Sequence, residues 1–156
     1  MTKPPRTLGG EALSGLMLDL FRLNSLLLTT GDRLVAPLGL TSARWQILGA
    51  IVAADRPQPV AWLARDLGAN RQNVQRIVND LHGDGLVAFA TNPHHRRAQL
   101  VVLTDAGTRA FEAAMRLQAS WMNDLADGLR VEDLATVHRV ATALIAKLAA
   151  KGDQQG

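Results

Sequence analysis

Uncharged amides and arginines are concentrated in one short segment, Asn70–Leu81, whose residue types suit the reading of a DNA duplex. Its apolar residues recur with the spacing of one helix face, at positions 74, 77, 78 and 81. The opposite face therefore carries hydrogen-bonding side chains: Gln72, Arg76 and Asn79 at its centre, Asn73 and Gln75 at its flanks, and Arg71 at the helix start.

These side chains match the hydrogen-bonding edges of base pairs. An amide bonds bidentately to adenine and an arginine to guanine, each worth roughly 1–3 kcal/mol of discrimination against the wrong base. The alternative is an ordinary solvated face, but such faces favour Glu and Lys, and no acid occurs between Leu67 and Asn79. We therefore expect an acid-free helix face that contacts DNA.

Two β-rich runs follow this helix, Leu86–Thr91 and Gln99–Leu103, and a polar loop joins them. The pattern predicts a β-hairpin with a protruding tip. Arg96 and Arg97 lie at that tip, where they suit phosphate contact or insertion beside a narrow minor groove. The alternative, a solvated turn, is less consistent with the neighbouring helix.

Helical patterns occupy most of the remaining chain. Residues 1–10 are expected to form a flexible arm, and a helix of more than twenty residues is expected from Glu11 to the Pro37-Leu38-Gly39 break. Thr41 is a predicted N-cap for the second helix, Gly68 ends the third, and Thr104 precedes the fifth. A sixth helix after residue 128 carries a narrow apolar seam that suits pairing with another helix.

The hairpin and its exit resemble those of the MarR family of transcriptional regulators. The family pattern Asp-x-Arg-x-x-x-Val-x-Leu-Thr-x-x-Gly corresponds to residues His95–Gly107, and further similarities are Leu40-Thr41, Leu63-Ala64 and Gly85-Leu86-Val87. The resemblance implies a mainly α winged helix-turn-helix fold with six helices and a small β-hairpin wing. It implies a DNA-binding region over 39–104, flanked by dimerisation helices over 11–38 and 105–151.

One residue departs from the family pattern. The wing aspartate that commonly positions the wing arginine is His95 here. By the resemblance, Arg97 then lacks its usual carboxylate partner.

By the same resemblance the protein is a homodimer that represses pseudo-palindromic operators, with half-sites about one helical turn apart. The expected dimer interface uses leucines of the first helix and the seam of the last: Leu13, Leu16, Leu20, Leu134, Val137, Ala141, Leu144 and Leu148.

Regulators of this family usually release DNA when a small, often aromatic or anionic, effector fills a crevice between the dimer helices and the winged region. Candidate lining residues are Phe21, Arg22, Trp45 and Trp62. Trp45 falls on an apolar helix face, which favours a place in the core over a place in the pocket. Trp62 falls off the apolar stripe of its helix, and it suits either an effector or the second subunit.

Other classes find little support. The absence of cysteine excludes disulfides and thiolate metal sites, and His94-His95 in one loop is a poor metal site, so we expect no metal and no cofactor. No glycine-rich phosphate loop or nucleophile–histidine pair suggests an enzyme. No membrane span is expected, and a cytoplasmic location is the simplest. The remaining alternative is a winged-helix protein-interaction module, similar to an antirepressor, without sequence-specific DNA binding.

Overall fold

The computed structural model describes residues 4–152, which form six α-helices and a three-stranded sheet. The elements in chain order are α1 (Leu8–Val35), a 3-10 turn (Ala36–Leu38), α2 (Ser42–Ala53), β1 (Gln58–Pro59), α3 (Val60–Leu67), α4 (Arg71–Gly83), β2 (Val87–Ala90), β3 (Leu100–Leu103), α5 (Asp105–Ala126) and α6 (Val131–Gly152). The chain divides into two compact units after Gln118, inside α5. The first unit contains the winged region.

Local capping signals fix the helix ends of the winged region. The Thr41 hydroxyl accepts the backbone N–H of Arg44, and the Asn70 side chain accepts the N–H of Asn73. Gly68 ends α3 with a φ of 62°, in the left-handed region that glycine adopts without strain. These boundaries confirm the prediction, because each cap acts within a few residues of itself.

The first helix begins earlier than predicted, at Leu8 rather than Glu11. Thr7 caps it by accepting the N–H of Gly10 at 3.0 Å, and Glu11 lies in its first turn, where it meets Arg6 at 3.2 Å. Gly9 and Gly10 are poor helix formers, but the Thr7 cap and the acid at the positive helix end favour helix. Of the predicted arm, residues 4–7 precede the helix and residues 1–3 lie outside the described range.

The sheet contains a strand that the sequence analysis missed. Gln58 and Pro59 pair antiparallel with Val101 and Leu100, so the strand order is β1-β3-β2. The predicted hairpin is confirmed as β2 and β3, with Val87 opposite Leu103. The two prolines of Asp55–Pro59 disfavour a strand by sequence, but prolines are tolerated on a short edge strand.

The core of the winged region forms between α2, α3, α4 and the sheet. Nine of its side chains are almost completely buried: Val35, Ile47, Leu48, Leu63, Val74, Val78, Leu81, Val87 and Val101. The predicted apolar stripe of α4 is entirely within this core. This packing fixes which face of α4 points outward.

The stretch Leu8–Leu38 corrects the expectation that no segment reaches membrane-spanning length. By length and composition alone it is long and apolar enough, with an 18-residue window of mean hydropathy 1.3. Within that window the leucines raise the mean hydropathy more than the charged residues lower it. One such helix near an N-terminus is weak evidence of a span, because helices of soluble proteins pass the same test.

Candidate nucleic-acid interface

The fourth helix presents its polar residues outward, as its apolar stripe requires. Val74, Ile77, Val78 and Leu81 are buried on the inner face. Six of the predicted contact residues lie on α4. Gln75 is half-buried, and the other five are exposed: Arg71, Gln72, Asn73, Arg76 and Asn79. Their donors and acceptors are therefore available to a ligand on one side of the helix.

Side-chain hydrogen bonds already order this face. Arg76 donates to Oδ1 of Asn73 at 2.9 Å, and Gln75 donates to Oδ1 of Asn79 at 3.0 Å. Arg76 also lies 3.6 Å from the Asp80 carboxylate, one turn further along. The expectation of an acid-free face was therefore wrong at its C-terminal end, because the polar side of the helix extends to Asp80. Both partners of this ion pair are more than half exposed, so it is weak.

A buried asparagine shapes the wing loop, residues 91–99. Asn92 is only 8% exposed, and its Nδ2 donates to the carbonyl of Ala98 at 2.9 Å. Its Oδ1 accepts the backbone N–H of His94 at 3.0 Å, so one side chain joins the two ends of the loop. The sequence analysis did not single out this residue, although an Asn-Pro pair at a loop start is a known turn signal. Arg96 and Arg97 are exposed on this loop.

The wing arginines keep their charge uncompensated. Within residues 4–152 no carboxylate lies within 4.0 Å of Arg96 or Arg97. His95, at the position of the family's aspartate, is exposed beside them. The wing loop is therefore a locally basic surface, which favours contact with phosphate groups.

The exit from the wing is held by the Leu-Thr-x-x-Gly part of the motif. The Thr104 hydroxyl donates to the carbonyl of Gly85 at 2.6 Å and accepts the N–H of Gly107 at 3.0 Å. A Cβ on Gly107 would collide with the carbonyl oxygen of Leu86. The motif therefore fixes the start of α5 against the start of β2, and the glycine is needed for this close approach.

The base of the wing and the outward face of α4 line one shallow groove. It encloses about 230 Å³, and its polar wall is formed by Arg71, Gln75 and Asn79 from α4 with Arg97 and Gln99 from the wing. We call it the reading groove. It brings together four of the eight predicted contact residues. The other four, Gln72, Asn73, Arg76 and Arg96, are exposed and do not line it.

Arg44 is a positioning residue that the sequence analysis missed. From α2 it donates to the Asp84 carboxylate just beyond α4, at 2.6 Å, and to the carbonyl of Gly39 at 2.9 Å. Its side chain is 19% exposed. Because the three segments meet at one guanidinium, the C-terminal end of α4 is fixed to the turn that follows α1.

None of the cavities described within residues 4–152 is lined by all four predicted effector residues. Trp62 is 43% exposed and lines a cavity beside the wing loop, but the other three do not line that cavity. Trp45 packs against the core, and Phe21 is 71% exposed on α1. Arg22 is exposed one residue further along. The effector crevice therefore remains a prediction.

The predicted interface residues are incompletely covered in the single chain. Leu13, Leu16 and Leu20 of α1 are half-buried. On α6, Ala141 and Leu144 are half-buried, while Leu134, Val137 and Leu148 are 42, 54 and 65% exposed. The most exposed apolar residues of α1 are ones that the predicted dimer interface does not include: Leu8, Leu18, Phe21 and Leu26.

A sequence profile of the MarR family matches residues 38–98, which include α2 to α4 and most of the wing. An uncharacterised protein of Mycobacterium tuberculosis is 40% identical over 119 residues, covering 76% of this chain and 82% of the relative. The transcriptional activatory protein BadR of Rhodopseudomonas palustris is 34% identical over 107 residues, covering 65% of this chain and 59% of BadR.

Solved structures show the same fold. The MarR family transcription regulator SP03579 superposes with a TM-score of 0.78 at 22% identity, covering 92% of this chain and 94% of that one. CouR from Rhodococcus jostii, bound to p-coumaroyl-CoA, gives 0.74 at 18% identity, covering 83% and 90%. The M. tuberculosis regulator MosR, in complex with DNA, gives 0.65 at 22%, covering 82% and 96%.

The chain belongs to the MarR family of winged helix-turn-helix transcription regulators. It is a regulator and not an enzyme. Among residues 4–152 there is no group of three or more His, Cys, Asp or Glu placed to hold a metal ion.

Proposed function

We propose that this regulator binds double-stranded DNA sequence-specifically in the cytoplasm as a homodimer. The observation that carries the proposal is the exposed polar face of α4, which continues through the reading groove to the wing arginine Arg97. Amides and arginine on a rigid helix discriminate base edges, whereas a basic loop neutralises phosphates. The related MosR forms a complex with DNA, which supports the same use of this fold here.

Two parts of the surface have different tasks in this proposal. Arg76, which donates to Asn73, and the exposed Gln72 contact bases in the major groove. Arg96 and Arg97 contact the backbone or the adjacent minor groove, and Arg71 contacts a phosphate at the helix start. Loss of a base contact lowers sequence preference, whereas loss of a phosphate contact lowers affinity for every duplex.

The dimer is proposed from the apolar residues that one chain leaves exposed. Leu134, Val137 and Leu148 are each more than 40% exposed on α6, and α1 adds several exposed leucines. A two-fold dimer presents two α4 helices to one duplex, so the operator is pseudo-palindromic with half-sites about one turn apart.

We propose that the bound dimer represses transcription by occupying its operator, and that a small effector releases it. CouR is bound to p-coumaroyl-CoA, which supports an effector for this fold, whereas BadR is named as an activatory protein. Because activation and repression use the same DNA surface, a promoter–reporter fusion with and without the regulator decides between them. Higher reporter output without the regulator supports repression, and lower output contradicts it.

Fluorescence anisotropy on DNA tests the proposal. Purified protein is titrated into its own upstream fragment and into a scrambled duplex of equal length, at two salt concentrations. We expect tighter binding to the upstream fragment and a steep loss of affinity with salt for both. If neither this fragment nor any duplex selected from a random pool is preferred, the sequence-specific function is wrong. Absence of salt-dependent binding to any duplex would favour the protein-interaction alternative.

A further inference from the structure

One ion pair joins the C-terminal end of α4 to a distant part of the chain. Arg44 of α2 donates to the Asp84 carboxylate at 2.6 Å, across 40 positions. Every other ion pair within residues 4–152 joins side chains at most five positions apart. Such local pairs stabilise a single turn, whereas the Arg44–Asp84 pair fixes one helix against another.

The guanidinium of Arg44 is held in one orientation. Its side chain is 19% exposed, and one of its terminal nitrogens donates to Asp84 while the other donates to the carbonyl of Gly39 at 2.9 Å. Gly39 ends the turn that follows α1. Two bonds from one planar, charged group fix an angle as well as a distance. The end of α4 is therefore held at a defined angle to this turn.

The first turn of α2 is also bonded to α1. Ser42 is 6% exposed, donates its hydroxyl to the Leu28 carbonyl at 2.8 Å, and donates its N–H to the Asp32 carboxylate at 2.7 Å. The whole of α2 packs against both α1 and α4. A displacement of α1 must therefore displace the C-terminal end of α4, because the first turn of α2 is bonded to both helices.

The angle of α4 decides where its two copies would meet a duplex. In the proposed dimer α1 packs against the second chain, so the angle between α1 and α4 sets the distance between the two α4 helices. The 13 residues of α4 span about 20 Å, so a change of about 10° displaces one end by about 3.5 Å relative to the other. One base pair inserted between two half-sites moves them apart by about 3.4 Å. A change of a few degrees is therefore enough to alter the accepted spacing.

We propose that the Arg44–Asp84 pair determines which half-site spacing the regulator accepts. Arg44 is a positioning residue in this proposal, because it acts through the angle of α4 and not through a base contact. The inference rests on the proposed function, since it requires a dimer that reads two half-sites. It adds a second determinant of specificity: the side chains of α4 select the bases, and the ion pair selects the distance between them.

Anisotropy titrations on a series of duplexes test the inference. The series keeps both half-sites of the best selected duplex and inserts or removes one or two base pairs between them. We expect the wild type to lose affinity at least about tenfold for a change of one base pair, since each added pair also turns one half-site by about a tenth of a turn. We expect Arg44→Gln and Asp84→Asn each to reduce that loss to about threefold or less. Preference for the selected bases over single-base substitutions in the half-sites should stay within about twofold.

Two further variants show whether the effect belongs to this pair. Asp133→Asn removes the carboxylate of the Arg130–Asp133 pair, whose two bonds of 2.8 Å lie at the start of α6, and should leave the spacing preference unchanged. The double variant Arg44→Gln/Asp84→Asn should accept no wider range of spacings than Arg44→Gln, because the two residues act as one unit. Circular dichroism identifies any variant that does not fold. Asp84→Asn alters a side chain that is 56% exposed and keeps the test available if Arg44→Gln does not fold.

The outcomes separate this inference from the proposed function. A wider range of accepted spacings with unchanged base preference supports the inference. A sharp spacing optimum that neither Arg44→Gln nor Asp84→Asn changes overturns it and leaves the proposed function intact. Equal losses of spacing preference and base preference overturn it as well, because they indicate general damage to the winged region. A wild type that binds all spacings alike contradicts the proposed dimer on two half-sites, and this inference with it.

Discussion

The winged region buries its apolar residues within one chain, whereas the last helix leaves its apolar residues exposed. The 13-residue helix α4 buries four apolar side chains in the core of its own chain. The 22-residue helix α6 has a comparable apolar stripe and buries none of its residues. A long exposed apolar stripe on a helix is unfavourable in water unless another surface covers it. The winged region is therefore closed within one chain, whereas the C-terminal helix leaves its apolar stripe exposed, as the proposed dimer requires.

The first helix shares the character of the last. Of its 28 residues only Gly31 and Val35 are buried, both near its C-terminal end. That end is joined to the winged region, where Ser42 donates its hydroxyl to the Leu28 carbonyl at 2.8 Å and its N–H to Asp32 at 2.7 Å. The apolar surface farther from this junction is therefore available to a second chain, while the junction itself is rigid.

The largest effect is expected where a charge is placed in the proposed dimer seam. Leu144→Asp would bury a carboxylate at the interface, at a cost of several kcal/mol. We expect the dissociation constant of the dimer to rise at least about a hundredfold, measured by analytical ultracentrifugation. Ala146→Asp, exposed on another side of the same helix, is the matched control and should leave dimerisation unchanged. A wild-type monomer at micromolar concentration would contradict the proposed dimer.

The next largest effect is expected from a substitution inside the winged region rather than in the proposed dimer seam. Gly107→Ala places a methyl group against the Leu86 carbonyl, so α5 and β2 must move apart. We expect the free energy of unfolding, measured by urea denaturation, to fall by about 3 kcal/mol. Gly15→Ala, in the exposed middle of α1 with no atom within 4 Å of the added Cβ, should instead raise it by up to about 1 kcal/mol. Equal changes in the free energy of unfolding from the two substitutions would contradict the close approach of Gly107 to the Leu86 carbonyl.

A smaller effect is expected in the wing loop. Asn92→Ala removes two hydrogen bonds from a nearly buried position and leaves the Ala98 carbonyl without its donor. We expect a loss of about 2 kcal/mol in the free energy of unfolding, together with faster amide exchange across residues 93–97. Asn123→Ala, at an exposed site on α5, is the control and should change neither. A wing loop with unchanged exchange would show that Asn92 does not fix its shape.

The local parts of this architecture could be predicted from the sequence. Thr41, Gly68 and Asn70 bond to backbone groups three or four residues away, so short sequence patterns are enough to predict these helix ends. The stripe of α4 was predicted for a similar reason, since its 3.6-residue period is local. From that stripe the outward position of the polar residues follows without further information.

The missed features depend on residues far apart in the chain. Strand β1 exists only because Gln58 meets Val101, and no periodicity in two residues can indicate it. Arg44 reaches Asp84 across 40 positions, and Thr104 reaches Gly85 across 19. The cavity beside the wing loop likewise combines residues from β1, α3, α4 and the wing. Such sites appear only after the core has brought the segments together.

The most direct test of the account compares the recognition helix with the wing on matched DNA. Anisotropy titrations of wild type, Arg76→Ala and Arg97→Ala are made on the best selected duplex and on its scrambled form, across a range of salt. We expect Arg76→Ala to reduce the preference for the selected duplex by about tenfold and to relax one or two base positions. We expect Arg97→Ala to weaken both duplexes alike and to reduce the salt slope by about one. A uniform loss for Arg76→Ala, or an unchanged salt slope for Arg97→Ala, would contradict the division of tasks between helix and wing.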